Sequence, residues 1–214
     1  MFTTDRDLLT LEPTLFRDIS WLAQTLALGT GSLSGGTLTL TAPLLSGTGI
    51  TTGNVVMVDR VPLEVISTSG GSTLTLSLLR PDPTGAQIVP ADRAGASVSI
   101  ITFAPQRALT HRQLLAMLGI TPTGTTPTTI DAVTESQIIN PRDLTLVESL
   151  GALHLIYASA AAALSDDSPQ AQRARMYQQR FAQERWRARA EIDLNNDGLA
   201  DATRTLNISH LLRS

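Results

Sequence analysis

The stretch NVVMVDRVPLEVIS, from Asn54 to Ser67, decides the fold. Two runs of β-branched and apolar residues, Asn54 to Asp59 and Val61 to Ser67, meet at the polar pair Asp59 and Arg60, the pattern of two strands joined by a hairpin turn. Pro62 has no N–H to give to a ladder, so it belongs on an edge or at a bulge. Working outward, a period of two recurs at Thr37 to Thr41, Thr73 to Leu79 and Ala96 to Phe103, with glycine-rich turns between. Short strands of this kind across residues 31–103 predict a small antiparallel β-sandwich or barrel. Pro81 to Ala94 reads as a long exposed loop, of a length that is commonly functional or disordered.

Helical patterns flank this block. Thr4 can cap a helix over Asp5 to Leu11, and Pro13 then opens a second helix in which Leu15, Ile19, Leu22 and Leu26 form one apolar stripe ending before Gly29. After the block, a helix from Pro105 points Leu109, Leu115 and Leu118 inward and stops at Gly119. Thr121 to Thr129 reads as a linker, followed by a brief helix near residues 131–139 cut by Asn140 and Pro141. The next helix, Arg142 to Leu164, carries two apolar rows, one of Leu146, Leu150, Leu153, Tyr157, Ala160 and Leu164, the other of Leu144, Val147, Gly151 and Leu155. That makes it the expected central helix, with Ala160 to Ala163 allowing another backbone to approach closely. Ser168 and Pro169 start a last long helix reaching about Ile192, its inner stripe formed by Ala174, Tyr177, Phe181, Ala188 and Ile192. The expected class is therefore α+β: a helical body of two long antiparallel helices plus shorter ones (residues 1–30 and 104–203), an inserted β domain (31–103), and a C-terminal arm (204–214).

Composition narrows the chemistry. The 214 residues have no cysteine and 4% aromatics, so the core must rest on Leu, Ile, Val and Ala, and disulfides and thiolate metal sites are excluded. Every basic side chain is arginine, which removes Schiff-base and lysine–phosphate chemistry. The net charge of −3 gives no argument for bulk nucleic-acid affinity. No secretory leader pattern is present and no run approaches the roughly 18 apolar residues of a membrane span. The chain therefore reads as soluble and unsecreted, with no membrane partner.

Two local constellations remain. The last long helix gathers Arg173, Arg175, Arg180, Arg185, Arg187 and Arg189 against Glu184 and Glu191. This face can meet phosphates or an acidic subunit, or it can be a solvated face with the helical pairs Arg180–Glu184 and Arg187–Glu191. The sequence DLNNDGLAD then matches the first nine positions of a calcium loop. Asp193, Asn195 and Asp197 can give side-chain oxygens, Gly198 the turn, Leu199 a carbonyl and Asp201 a direct or water-bridged contact. Arg204 stands where a bidentate acid is expected, and no second loop pairs with this one; a turn whose side chains bond their own backbone is the other reading, and calcium is the only cofactor considered. His111, His154 and His210 are each alone in their local sequence, no Gly-x-Ser-x-Gly elbow occurs, and His154 in its apolar helix fits a hydrogen-bonded core histidine. Asp166 and Asp167 fit a capped turn. No catalytic residue is assigned, and the chain is not expected to be an enzyme.

The words TDRDLLTLEPTLFRD (Thr4 to Asp18), GNVVMVD (Gly53 to Asp59), PLEVI (Pro62 to Ile66), TFAPQ (Thr102 to Gln106) and LLAMLGI (Leu114 to Ile120), with Trp186, the 193–201 loop and the closing TLNISHLLR, resemble tailed-bacteriophage neck proteins nearly end to end. Such proteins are head-to-tail adaptors (connectors). The resemblance implies a structural virion protein in the neck, assembled in the host cytoplasm. It implies a homo-oligomeric ring of about twelve copies beneath the portal, closed by heterologous contacts. It also implies the portal protein and a tail or tail-terminator (nozzle) protein as partners, and a lumen that passes double-stranded DNA without reading its sequence. Portal or subunit contact then falls to Arg173, Arg180, Arg187, Arg204, Leu206, Ile208, His210 and Leu211. The 204–214 arm alternates polar and apolar residues, which suits a strand added to a neighbour or one on its own domain. The competing readings are a calcium-dependent extracellular binding module, which in its dockerin-like form needs two loops, and a virion hydrolase, which needs a nucleophile and base that the chain does not offer.

Overall fold

The computed structural model describes residues 1–41, 49–69, 71–124 and 132–206. The class is α+β, with a closed antiparallel barrel. The chain divides into two compact units, Thr4–Ala104 and Met1–Thr3 with Pro105–Ser214. Residues 4–30 thus lie with the barrel, a correction to the helical body expected for 1–30.

In the first unit, α1 (Asp5–Leu11) begins at a capping box in which Thr4 and Asp7 each bond the other's backbone N–H. α2 is only Leu15–Asp18. The helix expected to run through Leu26 does not form: a 3₁₀ turn at Leu22–Gln24 leads into β1 (Thr25–Ser34). The i, i+4 leucines mimic a helix, but Thr25, Gly29, Thr30 and Gly31 disfavour one, and β1 hydrogen-bonds on both sides. Leu22, expected on the buried stripe, is 85% exposed.

The remaining strands are β2 (Thr37–Leu40), β3 (Val55–Val58), β4 (Val61–Ser69), β5 (Thr73–Ser77) and β6 (Arg93–Ile101). Their order is β1-β2-β5-β4-β3-β6, and β6 returns to β1 to close the barrel. Closure removes both sheet edges, so β1, missed by the sequence reading, is what makes the block a barrel. Pro62 lies inside β4 opposite Met57, in a pairing whose register is unbroken; the bulge in that strand falls later, between Val65 and Ser67. Gly35 and Gly36, both at positive φ, make the tight β1–β2 turn. Alternate side chains fill the interior, among them Leu33, Leu38, Val56, Val58, Leu63, Leu74, Leu76 and Ile100. The 78–92 connection is exposed yet pinned: Leu78 N–H donates to Ile88 O, Ile88 N–H to Ser77 Oγ, and Gln87 Nε2 to Leu76 O.

In the second unit, α3 (Ala104–Leu118) buries Leu114, Leu115 and Leu118 and ends at Gly119 with φ +63°. Leu109, expected inside, is 41% exposed. The brief helix is a 3₁₀ turn at Glu135–Gln137, and another at Pro141–Leu144 precedes α4 (Thr145–Ala161). Pro141–Ala161, at mean hydropathy 1.3, is apolar and long enough by composition to cross a membrane, which corrects the reading that no run approaches that length. Leu150, Leu153, Ile156 and Tyr157 are buried within this unit, as befits a core helix.

α5 (Pro169–Arg185) starts as expected, with Ser168 Oγ accepting from Ala171 N–H and Pro169 in the first turn. It packs on α4 through stacked Tyr157 and Tyr177 rings and a bond between His154 Nδ1 and Ala174 O. Neighbouring side chains come close at Gly151, where a Cβ would lie 2.5 Å from Thr110 Cγ2 and 3.0 Å from Phe181. α5 ends at Arg185 rather than near Ile192. The last seven expected helical residues hold a turn and β7 (Arg189–Ile192), where the period is two: Ala190 and Ile192 are buried, Arg189 and Glu191 exposed. β7 pairs antiparallel with β8 (Ala202–Thr205).

Candidate functional site

The arginine-rich helix spends most of its charge on its own unit. Arg173 Nη1 donates to Tyr157 Oη at 2.9 Å with its guanidinium over that ring. Arg180 lies over Tyr177, Arg185 over Phe181, and Arg175 Nη2 donates to Asp166 O. Cation–π contacts of this kind hold a guanidinium against the surface as packing. Arg187 faces Glu184 at 3.5 Å while 80% exposed. The Arg187–Glu191 helical pair does not form, because Glu191 stands on β7. Arg187, Arg189, Glu184, Glu191 and Asp143 ring an open groove of about 350 Å³ with Leu146 and Ala188 in its wall. Both charge signs line it, so it does not select an anion.

The 193–201 stretch is the loop of the β7–β8 hairpin. Asp193 Oδ1 accepts from the N–H groups of Asn195, Asn196 and Asp197, and Oδ2 from Gly198 N–H at 2.7 Å. Asn195 Oδ1 takes Asp197 N–H, Asp197 Oδ1 takes Leu199 N–H, and Asp201 Oδ2 takes Leu194 N–H. This is the self-bonded turn of the alternative reading, with Asn196 at φ +61°. Burial pushes the Asp193 carboxyl up, but the N–H groups of Gly198, Asn196, Asp197 and Asn195 outweigh it and hold it below the usual carboxylate range. Leu199 is 69% exposed at the loop tip.

The expected arm divides. Arg204 and Thr205 pair with β7 of their own chain, Arg204 Nη1 donates to the carbonyls of Leu118 and Gly119, and Leu206 is buried in the core of this unit. These residues are already occupied, which corrects an arm starting at 204. Ile208, His210 and Leu211 lie outside the described residues.

Two clusters escaped the sequence reading. On α3, His111 Nδ1 stands 2.8 Å from Glu148 Oε2, and Nε2 stands 2.9 Å from Glu135 Oε1. Each ring nitrogen therefore faces a different carboxylate. Glu148, fully buried, also accepts the N–H groups of Phe2 and Thr3, each at 3.2 Å, while Arg107 Nη1 donates to Thr3 O. Burial raises the Glu135 carboxyl, yet the Thr123 N–H, the charge of His111 and the Thr123 hydroxyl together lower it below its ordinary value. In the barrel unit, Glu64 accepts Arg6 Nε and Arg80 Nε, each at 2.5 Å, and Arg6 Nη2 also bonds Arg80 O. Each cluster joins residues far apart in sequence, so no local motif marks it. The available signal was a lone acid in an otherwise apolar element, Glu148 in α4 and Glu64 in β4.

His154 is half-buried rather than in the core, and its Nδ1 bonds a backbone carbonyl, the hydrogen-bonded part of the expectation. The carboxylates around His111 approach opposite ring nitrogens and do not converge on one point. Among the described residues no group of three or more His, Cys, Asp or Glu is arranged to hold a metal. Compared with family models, curated proteins and solved structures, the chain matches none.

Proposed function

We propose that the chain is a structural virion protein, a head-to-tail adaptor that joins its own copies in a ring beneath a phage portal and presents a docking surface to the tail, with DNA passing through the lumen. In this reading the two helices α4 and α5 form the antiparallel pair of the ring body. The sequence resemblance supports this reading. The structural observation that carries it is Trp186, 74% exposed at the end of α5, in a unit that also leaves Leu146, Leu164 and Met176 at 41–50% exposure. Tryptophan is enriched at the energetic centres of interfaces, which is the use this exposed side chain would have in an assembly. The calcium-module alternative rests on one loop that holds its shape with its own N–H groups.

Native mass spectrometry of the chain with the portal protein of the same phage tests the reading. Alone, the chain should be a monomer or weakly associated; with the portal it should join as a ring. Truncation after Leu206 spares the β7–β8 hairpin and should weaken attachment. A portal that takes up no copies would overturn the proposal.

A further inference from the structure

We propose that a groove on the outer wall of the barrel unit, between α2 and strands β3 and β6, binds a phosphate group. This site does not depend on the adaptor reading. The strand period explains its construction. Val98 and Ile100 point into the barrel, so Ser97, Ser99 and Ile101 face outward, and Met57 is the registered partner of Ser99 on β3. Buried Phe16, Met57 and Ile101 form the apolar floor. The polar lining is Arg17, Arg60, Ser20, Ser97 and Ser99, in a groove of about 320 Å³; the carboxylates of Asp18 and Asp59 touch Arg17 and the Ser97 N–H but are not among the lining residues.

Arg60 is the informative residue. It and Asp59 occupy the two central positions of the β3–β4 turn at φ +69° and +47°, a turn for which Asn-Gly is the unstrained choice. Asp59 has a structural reason to be there, since Oδ1 accepts Ser97 N–H at 2.9 Å and Oδ2 faces Arg93 at 3.3 Å. Arg60 has none. It is exposed, and neither its guanidinium nor the hydroxyls of Ser20, Ser97 and Ser99 have a partner among the described residues. A bulky residue held in a left-handed conformation with no packing return is what a functional constraint leaves behind.

Arg17 uses its Nε on Asp18 at 3.2 Å in an exposed, weak pair. Its terminal nitrogens, the Arg60 fork and three hydroxyls offer more donors than the two oxygens of a carboxylate can accept. The three or four oxygens of a phosphate group match them better.

The test is an NMR titration of the full chain with inorganic phosphate at constant ionic strength, following the Arg17 and Arg60 Nε–H signals and the Ser97 and Ser99 amides. Sodium acetate and a short DNA duplex serve as parallel arms. Phosphate should give saturable shifts confined to these residues, and acetate only small, unsaturated ones. A matching response to the duplex would assign the phosphate to a nucleic-acid backbone, and none would assign it to free phosphate or a monoester; either upholds the site. Arg60→Gly should abolish the response while raising the melting temperature, because glycine relieves the positive φ. Arg60→Gln, which keeps the turn unchanged, should abolish it too, and Arg93→Gln should leave it intact. Absence of saturable shifts with phosphate, equal shifts with acetate, or a response that survives loss of Arg60 would overturn the proposal.

Discussion

The barrel unit and the helical unit each bury an ionisable side chain held between two others, and the two clamps are built the opposite way round. In the barrel, Glu64 is the centre and Arg6 and Arg80 the jaws. In the helical unit, His111 is the centre and Glu148 and Glu135 the jaws. Arginine does not give up its proton in proteins, so the barrel clamp has jaws of fixed charge. The helical clamp is centred instead on an imidazole, whose two ring nitrogens each face a different carboxylate. The barrel clamp also fastens the start of the 78–92 connection, through Arg80, to α1, through Arg6. The helical clamp fastens residues 2 and 3 to α4. One kind of clamp therefore ties a loop to a helix in one unit and the first residues of the chain to a helix in the other.

Replacing each centre breaks the comparison most severely. Glu64→Ala leaves two buried guanidinium groups facing each other and should cost about 3–5 kcal/mol, the range for removing one partner of a buried ion pair. Chemical denaturation with a barrel-unit probe checks it; a loss under 1 kcal/mol would show that water reaches the arginines. His111→Ala should cost less, about 2 kcal/mol, because Glu148 keeps the N–H groups of Phe2 and Thr3 and Glu135 keeps that of Thr123. Hydrogen exchange at the Phe2 and Thr3 amides should accelerate in that variant and stay unchanged in Glu64→Ala.

Much of the barrel was legible because its signals are local. The two-residue period and the Asp59-Arg60 turn place strands without knowledge of the rest. β1 was not legible, because Leu15, Ile19, Leu22 and Leu26 happen to fall at helical spacing and only pairing with both β2 and β6 decides between the two. The end of α5 failed for a related reason: Ala188 and Ile192 continue a helical stripe, whereas Ala190 and Ile192 start a strand stripe, and β8 pairing selects the second. The clamps were illegible as clusters because Arg6 and Glu64 are 58 positions apart and His111 and Glu148 are 37 apart. The loop 193–201 was legible as a turn, since its Asx oxygens lie within reach of their own N–H groups.

Acid sharpens the contrast by a smaller amount. Glu135 and Asp193, both in the helical unit, have folded-state carboxyls held below their unfolded values, so the folded form binds fewer protons. Their contribution is complete above the ordinary carboxylate range and is lost as pH falls through the folded pKa values. Melting followed from pH 7 to pH 3 should show the helical unit losing stability, and Asp193→Ala should remove part of that slope. A slope unchanged in Asp193→Ala would show that the hairpin loop does not contribute to it.

The adaptor reading is tested most directly by the fluorescence of Trp186. Trp21 is the other tryptophan, so Trp21→Phe leaves Trp186 as sole reporter. Free in solution, a side chain 74% exposed should emit at long wavelength. When the portal protein is added, ring assembly should bury it, and the emission should shift to the blue in proportion to the copies bound. Emission that stays unshifted at saturating portal would contradict the account.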